Sequence, residues 1–143
     1  MFDGEFTMKH RKIAVVLLFS FLLASVAWGR EDKLVNTGTA PAAEGKVTTD
    51  ADRNGNTGVN VEVKHMARPE SLTPARQTYL VWVKPRGKDA ELLGALRVNE
   101  NLEGSLKAST PYKDFEIYIT AEDNMKPEMP SEMVILKGDV ARK

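Results

Sequence analysis

The chain has 143 residues, of which 20 are basic and 20 acidic, and 42% of it is hydrophobic. That length accommodates one domain of ordinary size. The formal charge of zero argues against nucleic-acid binding, because a nucleic-acid protein needs a basic surface that displaces counterions from phosphates. The absence of cysteine excludes disulfides, thiolate metal sites, catalytic thiols and a lipid-modified cysteine anchor.

The N-terminal region has the parts of a secretory signal peptide. A basic cluster at residues 9–12 precedes an apolar run over residues 13–27, which ends in small residues. As a helix the run spans roughly 22 Å, which is shorter than the ~30 Å hydrocarbon core of a bilayer. We predict a signal peptide over residues 1–29, cleaved after Ala27 or Gly29, and a secreted or periplasmic protein. An uncleaved membrane anchor is the alternative.

The segments on either side of the apolar run are predicted to lie outside the folded domain. Residues 1–7 hold Asp3 and Glu5 ahead of the basic cluster, so Met8 is the expected start of the protein. Residues 30–45 are polar, rich in small residues and without apolar periodicity, which is typical of a flexible leader. The domain itself is predicted over residues 46–140.

The remainder of the chain alternates between short apolar stretches and turn residues. The dipeptide Asn54-Gly55 indicates a β-hairpin, because both residues tolerate positive φ. Residues 78–83 are almost continuously apolar, as expected of a strand covered on both faces. Strands are predicted at residues 47–49, 59–65, 78–83, 92–98, 104–108, 115–120 and 133–136. About seven short strands, with no helix after the signal peptide, predict an all-β, antiparallel, immunoglobulin-like β-sandwich.

Two aromatic residues and two loops are candidates for core and contact surface. Tyr79 and Trp82 point to opposite faces of one strand, because side chains alternate along it. Trp82 is predicted in the core between the sheets, as in immunoglobulin-like sandwiches, with Tyr79 at the core edge or on a binding surface. The proline-containing connections 67–77 and 121–131 are the expected contact surfaces, because function on such folds usually lies on loops.

Four segments of the predicted strands form a pattern longer than any single motif. They are residues 78–85 (TYLVWVKP), 93–98 (LGALRV), 115–122 (FEIYITAE), and Pro130 followed by residues 134–136. This pattern resembles the extracytoplasmic C-terminal domain of anti-sigma-K factors. The resemblance implies a non-catalytic β-sandwich outside the cytoplasmic membrane.

The sequence also departs from that family. Anti-sigma-K factors carry a cytoplasmic, helical, sigma-binding domain followed by a transmembrane helix. Here only twelve residues precede the apolar run. The chain is therefore not expected to bind a sigma factor itself, and the resemblance covers only the sensor-side domain.

Residues 50–55 match the start of a calcium-binding loop, D-x-[DN]-x-[DN]-G. Oxygen ligands at alternate positions before a sharp glycine turn suit a Ca²⁺ shell. The twelfth position of such a loop is a glutamate, whereas here it is Val61, with Glu62 one residue late. A polar hairpin turn, in which Asp and Asn are favoured, is the competing interpretation. The candidate calcium ligands are Asp50, Asp52 and Asn54.

Three methionines, Met125, Met129 and Met133, recur every four residues and present a ligand type that suits Cu(I). Pro127 and Pro130 are incompatible with a regular helix there, so the spacing does not align the sulfurs on one face. Met133 is expected to pack against the core, with the other two methionines on a loop.

The sequence offers no well-formed candidate for a catalytic arrangement of side chains. After the signal peptide there is one histidine, His65, and none of the serines has the context of a nucleophile elbow. We expect a non-enzymatic binding, sensory or structural module of the bacterial envelope without a cofactor, unless Ca²⁺ binds. The expected partner is an envelope protein or an extracellular ligand, with no nucleic acid and no membrane contact beyond an uncleaved signal segment.

Overall fold

The computed structural model describes residues 29–141, which form two antiparallel sheets packed as a β-sandwich. The strands are β1 (Arg30–Lys33), β2 (Val35–Asn36), β3 (Glu44–Ala51), β4 (Thr57–Lys64), β5 (Thr78–Pro85), β6 (Glu91–Leu96), β7 (Gly104–Thr110), β8 (Asp114–Glu122) and β9 (Val134–Ala141). One sheet has the order β1-β3-β4-β7 and the other β2-β9-β8-β5-β6. The only helical element within these residues is a 3₁₀ turn, Pro69–Ser71. These residues contain no helix that is long and apolar enough to cross a bilayer. The predicted signal peptide and the start at Met8 lie outside the described residues.

The prediction of an all-β sandwich is confirmed, and the seven predicted strands correspond to β3 to β9. Alternation places Val59, Val61 and Val63 of β4 in the core, each at most 2% exposed. The hairpin between β3 and β4 turns through Gly55, whose φ of 81° is readily adopted only without a side chain. Strand β5 is buried on both faces and lies between β8 and β6, as its apolar run indicates.

The prediction of a flexible leader over residues 30–45 is wrong at its end, where residues 44–45 belong to β3, and over residues 30–36. These residues form β1 and β2, which pair with β3 in one sheet and with β9 in the other. Leu34, between the two strands, is 9% exposed and belongs to the core. Because edge strands are held by backbone hydrogen bonds and need few apolar side chains, this segment lacks a periodic pattern.

The prediction that Trp82 lies in the core between the sheets is also wrong. Tyr79 belongs to the cluster of core residues between the sheets, whereas Trp82 does not. Trp82 pairs with Tyr118 on β8 and therefore points to the outer face of the five-stranded sheet. It is nevertheless only 1% exposed, so this outer face is itself covered.

Candidate functional site

The connections between strands separate into two ends of the sandwich. Residues 52–56, 86–90 and 111–113 lie at one end, which we call the turn end. The longer connections lie at the opposite end, which we call the loop end: residues 37–43, 65–77, 97–103 and 123–133. Strand β1 begins at the turn end, because Arg30 pairs with Thr49 and its Nη1 donates to the carbonyl of Ala141. The segment that precedes Gly29 therefore joins the sandwich at the end opposite to the long loops.

A chain of hydrogen bonds fixes the β8–β9 loop (residues 123–133) to the outer face of the five-stranded sheet. The indole Nε1 of Trp82 donates to Thr120 Oγ1 at 2.9 Å, and this hydroxyl donates to Glu122 Oε1 at 2.7 Å. The backbone N–H of Ser131 donates to the same carboxylate oxygen at 2.7 Å, and its hydroxyl donates to the carbonyl of Ala121. Glu122 is 5% exposed, so a buried carboxylate holds the second half of the loop in place.

The same loop covers the outer face beyond this carboxylate. Met129, Pro130 and Ser131 line a hollow of about 440 Å³ together with Tyr118 and Lys84 of the sheet. Burial, with the charges of Glu116 and Asp139, raises the pKa of Tyr118 to about 12. Asp89 and Ala90 of the β5–β6 connection line the same hollow, so the loop extends along the outer face toward the turn end.

A second set of contacts joins the β8–β9 loop to the β4–β5 loop (residues 65–77). Arg76 Nη1 lies 2.7 Å from the carboxylate of Asp123, and its Nε donates to the sulfur of Met133 at 3.4 Å. Tyr79 Oη donates to the carbonyl of Ala67 at 2.7 Å. Burial first, and then the charge of Glu70, raises the pKa of Tyr79 to about 12. The two loops therefore form one braced surface rather than independent segments.

The braced surface borders a groove of about 380 Å³ at the loop end. Val98 contributes apolar surface, whereas Tyr79 and Leu96 line the groove but are at most 1% exposed. The charged lining consists of Arg68, Glu70, Arg97 and Asp123. Met125 also lines the groove and is 48% exposed, while Met129 on the same loop is 72% exposed. Within residues 29–141 the exposed large hydrophobic residues are Val35, Leu92, Met125 and Met129. Half of this set therefore lies on one loop.

A larger groove, of about 680 Å³, lies at the turn end. Its charged lining consists of Arg30, Lys84, Arg86, Asp114, Glu116 and Asp139. Three basic and three acidic side chains give the groove no net charge, and the guanidinium of Arg30 is engaged by the carbonyl of Ala141. We take the loop end as the candidate site because two of its long loops are joined to each other and carry the exposed Met125.

The predicted calcium residues occupy the β3–β4 turn. Asp52 Oδ1 accepts the backbone N–H groups of Asn54 and Asn56, both at 2.8 Å, and Oδ2 accepts from the hydroxyl of Ser109 at 3.3 Å. Partial desolvation acts to raise the pKa of Asp52, but these hydrogen bonds outweigh it and hold the pKa below its ordinary value of 3.8. The carboxylate of Asp50 lies over Gly58.

The contact between Asp52 and Asn54 is made by the backbone N–H of Asn54, which donates to the Asp52 carboxylate. This is the arrangement of a polar turn. Gly58 pairs with Ser109 on the neighbouring strand, so Asp50 lies beside one member of this residue pair and Asp52 beside the other. Among residues 29–141 there is no group of three or more His, Cys, Asp or Glu side chains arranged to hold a metal ion.

The residues considered for catalysis lie in separate places. His65 follows the end of β4, is exposed and has a φ of 54°. The hydroxyl of Ser71 donates to the carbonyl of Arg68, and those of Ser109 and Ser131 donate to Asp52 and Ala121. These hydroxyl groups take part in local structure.

Sequence analysis missed three residues that build the loop-end surface: Arg76, Thr120 and Glu122. Period-two alternation places Thr120 and Glu122 on the same face of β8 as Tyr118, and this signal was present in the sequence. No local pattern indicates Arg76, because its partner Asp123 is 47 residues away.

Comparisons with protein-family models, with curated proteins and with solved structures find no match to this chain.

Proposed function

We propose that this chain is an exported, non-enzymatic β-sandwich module of the bacterial envelope that binds a partner protein through its loop end. The observation that carries the proposal is the placement of the braced loops. They are joined by Arg76 and Asp123, they present Met125 to solvent, and they lie opposite the end at which the apolar N-terminal run joins. A module tethered to or emerging from the membrane at its turn end would present this surface outward.

The proposal includes a relationship to the extracytoplasmic domain of anti-sigma-K factors and an immunoglobulin-like layout of the strands. In support of that layout, the hairpins β5–β6 and β8–β9 meet at the β5–β8 pairing, as strands C, C′, F and G do in variable-type immunoglobulin domains. The other sheet also supports it, because the order β3-β4-β7 corresponds to strands A, B and E, which share one sheet in immunoglobulin domains.

Site-specific crosslinking in the native host tests the proposal. A photoreactive amino acid replaces Lys126 on the β8–β9 loop, and in a matched control it replaces Arg53 on the turn end; both positions are exposed. We expect a discrete crosslinked envelope protein from position 126 and none from position 53. Crosslinking from position 53 alone, or from neither position, would contradict the proposal. Mass spectrometry of the same tagged sample identifies the mature N-terminus.

The second candidate function is a Ca²⁺-stabilised adhesion-type module. It is favoured by the approach of the Asp50 and Asp52 carboxylates to Gly58 and Ser109. If Ca²⁺ binds there, the melting temperature rises on addition of Ca²⁺, and Asp50→Asn removes that rise. Identical melting curves in Ca²⁺ and in chelator would eliminate this candidate.

A further inference from the structure

The four methionines between residues 29 and 141 differ sharply in their exposure to solvent. Met66 is completely buried in the core. Met133 is partly buried, and its sulfur accepts a hydrogen bond from Arg76. Met125 and Met129, in contrast, are 48% and 72% exposed. Residues 29–141 therefore contain two protected thioethers and two accessible ones.

The exposure of Met125 and Met129 is maintained by the contacts at both ends of their loop. Ser131 is bonded to the buried carboxylate of Glu122, and Asp123 is paired with Arg76. These contacts hold the two methionines on the surface of a braced loop. A long, flexible and polarizable side chain in such a position suits an adaptable contact with an apolar partner.

We propose that Met125 and Met129 form a reversible oxidation site for peroxides, which changes the exposed surface of the β8–β9 loop from apolar to polar. The sulfur lone pair attacks one peroxide oxygen, so that an S–O bond forms and the O–O bond breaks. The thioether loses two electrons and becomes a sulfoxide, while hydrogen peroxide is reduced to water. The chain holds no cysteine, so no thiol competes for the oxidant, and methionine sulfoxide reductases reverse the step.

The inference rests on the proposed function in one respect, namely that the modified surface contacts a partner. Sulfoxides are strongly polar, so oxidation removes the apolar character of the contact without requiring any change in the core. The structure supports such a separation, because neither exposed methionine belongs to the core cluster.

Peptide mapping by mass spectrometry tests the site on the full exported protein treated with dilute hydrogen peroxide. We expect Met129 and Met125 to be oxidised several-fold faster than Met133 and Met66, which serve as internal controls. The far-ultraviolet circular dichroism spectrum and the melting temperature should remain unchanged. Oxidation of Met66 or Met133 at a similar rate, or unfolding on oxidation of the loop pair, would overturn the proposal.

The crosslinking assay tests the consequence for binding. With the photoreactive group at position 126, oxidation should reduce partner capture several-fold, and reductase treatment should restore it. The double variant Met125→Leu, Met129→Leu keeps the apolar surface and should capture the partner equally with and without peroxide. Unchanged capture of the partner by the oxidised wild type would overturn the proposal that oxidation weakens binding. Absence of capture under every condition would instead contradict the proposed function, with the oxidation site judged by peptide mapping alone.

Discussion

Trp82 donates a 2.9 Å hydrogen bond from its indole nitrogen to the hydroxyl of Thr120 on the neighbouring strand. The hydroxyl donates a hydrogen bond to the carboxylate of Glu122, which also accepts from the backbone N–H of Ser131. All of these polar groups lie on the outer face of the five-stranded sheet, where an unpaired polar atom would carry a desolvation cost. The large aromatic side chain and the β8–β9 loop are therefore stabilised by one connected set of bonds.

Replacing threonine by valine should have opposite effects on the free energy of unfolding at different buried positions. The hydroxyls of Thr49 and Thr57 are buried and have no hydrogen-bond partner among residues 29–141. Thr49→Val and Thr57→Val should each raise the free energy of unfolding by about 1 kcal/mol, because an unpaired buried hydroxyl is removed. Thr120→Val should lower it by about 2 kcal/mol, because two bonds are lost and the indole N–H of Trp82 is left unpaired. Urea denaturation followed by circular dichroism measures all three.

A double variant serves as the control for this series. Trp82→Phe in the Thr120→Val background removes the unpaired donor, so it should cost less than Trp82→Phe in the wild type. Equal destabilisation by all three single threonine variants would contradict the hydrogen-bond assignment.

The carboxylate of Glu122 is predicted to determine the order of the β8–β9 loop. Glu122→Ala leaves the Ser131 N–H and the Thr120 hydroxyl without their acceptor and should cost about 2 kcal/mol. Glu122→Gln keeps an acceptor oxygen and should cost much less. Amide hydrogen exchange should show faster exchange at Ser131 in the alanine variant only. Glu128→Ala, on an exposed position of the same loop, is the matched control and should leave both measurements unchanged.

The strands with periodic apolar residues could be predicted from the sequence, and those without could not. Strands β3 to β9 each carry the alternation or apolar run that burial on one or both faces requires. Strands β1 and β2 flank one core residue, Leu34, and owe their pairing to backbone bonds and to contacts such as that of Lys46 with Glu31. Those contacts depend on the fold already being present.

The orientation of β5 illustrates a second limit. Alternation requires that Tyr79 and Trp82 face opposite sides, but it does not say which side is the core. The fold resolves this through Tyr79, whose hydroxyl reaches the carbonyl of Ala67 at the sandwich end, and through Thr120, which supplies the partner for Trp82. Both partners come from other strands or loops, so the choice is a property of the tertiary structure.

Two glycines should respond differently to replacement by alanine. A Cβ atom at Gly104 would lie 2.5 Å from the backbone carbonyl oxygen of Arg97, where β6 leads into β7. A backbone atom cannot move aside, so Gly104→Ala should cost about 1–3 kcal/mol. At Gly58 the nearest atoms belong to the side chain of Asp50, which is exposed and can rotate. Gly58→Ala should therefore be close to neutral in urea denaturation, and equal costs at the two sites would contradict this prediction.

Alkaline titration should reveal tyrosines that resist ionisation. The pKa values of Tyr79 and Tyr118 are raised to about 12 from an ordinary value of 10.0, chiefly by burial, and for Tyr118 also by the hydrogen bond that its hydroxyl donates to Glu116. Since the fold favours the neutral phenols, their contribution to stability is complete below about pH 10 and is lost as the pH rises through about 12. Phenolate absorbance should lag behind that of the urea-unfolded protein between these pH values. Tyr79→Phe should remove one late-titrating group, and an absorbance curve identical to that of the unfolded protein would contradict the burial of both rings.

Acid titration should identify the role of Asp52 in the β3–β4 turn. Its pKa in the folded protein lies below 3.8, because the N–H groups of Asn54 and Asn56 favour the charged form over the opposing effect of desolvation. The stabilisation is therefore present above the unfolded value and is lost as the pH falls through the lower folded value. The melting temperature of Asp52→Asn should be below that of the wild type at about pH 6, and the difference should shrink on acidification below 3.8. The same difference in chelator and in Ca²⁺ would assign the carboxylate to the turn, because its backbone donors need no metal. A constant difference across the acid range would show that the charge of Asp52 does not stabilise the turn.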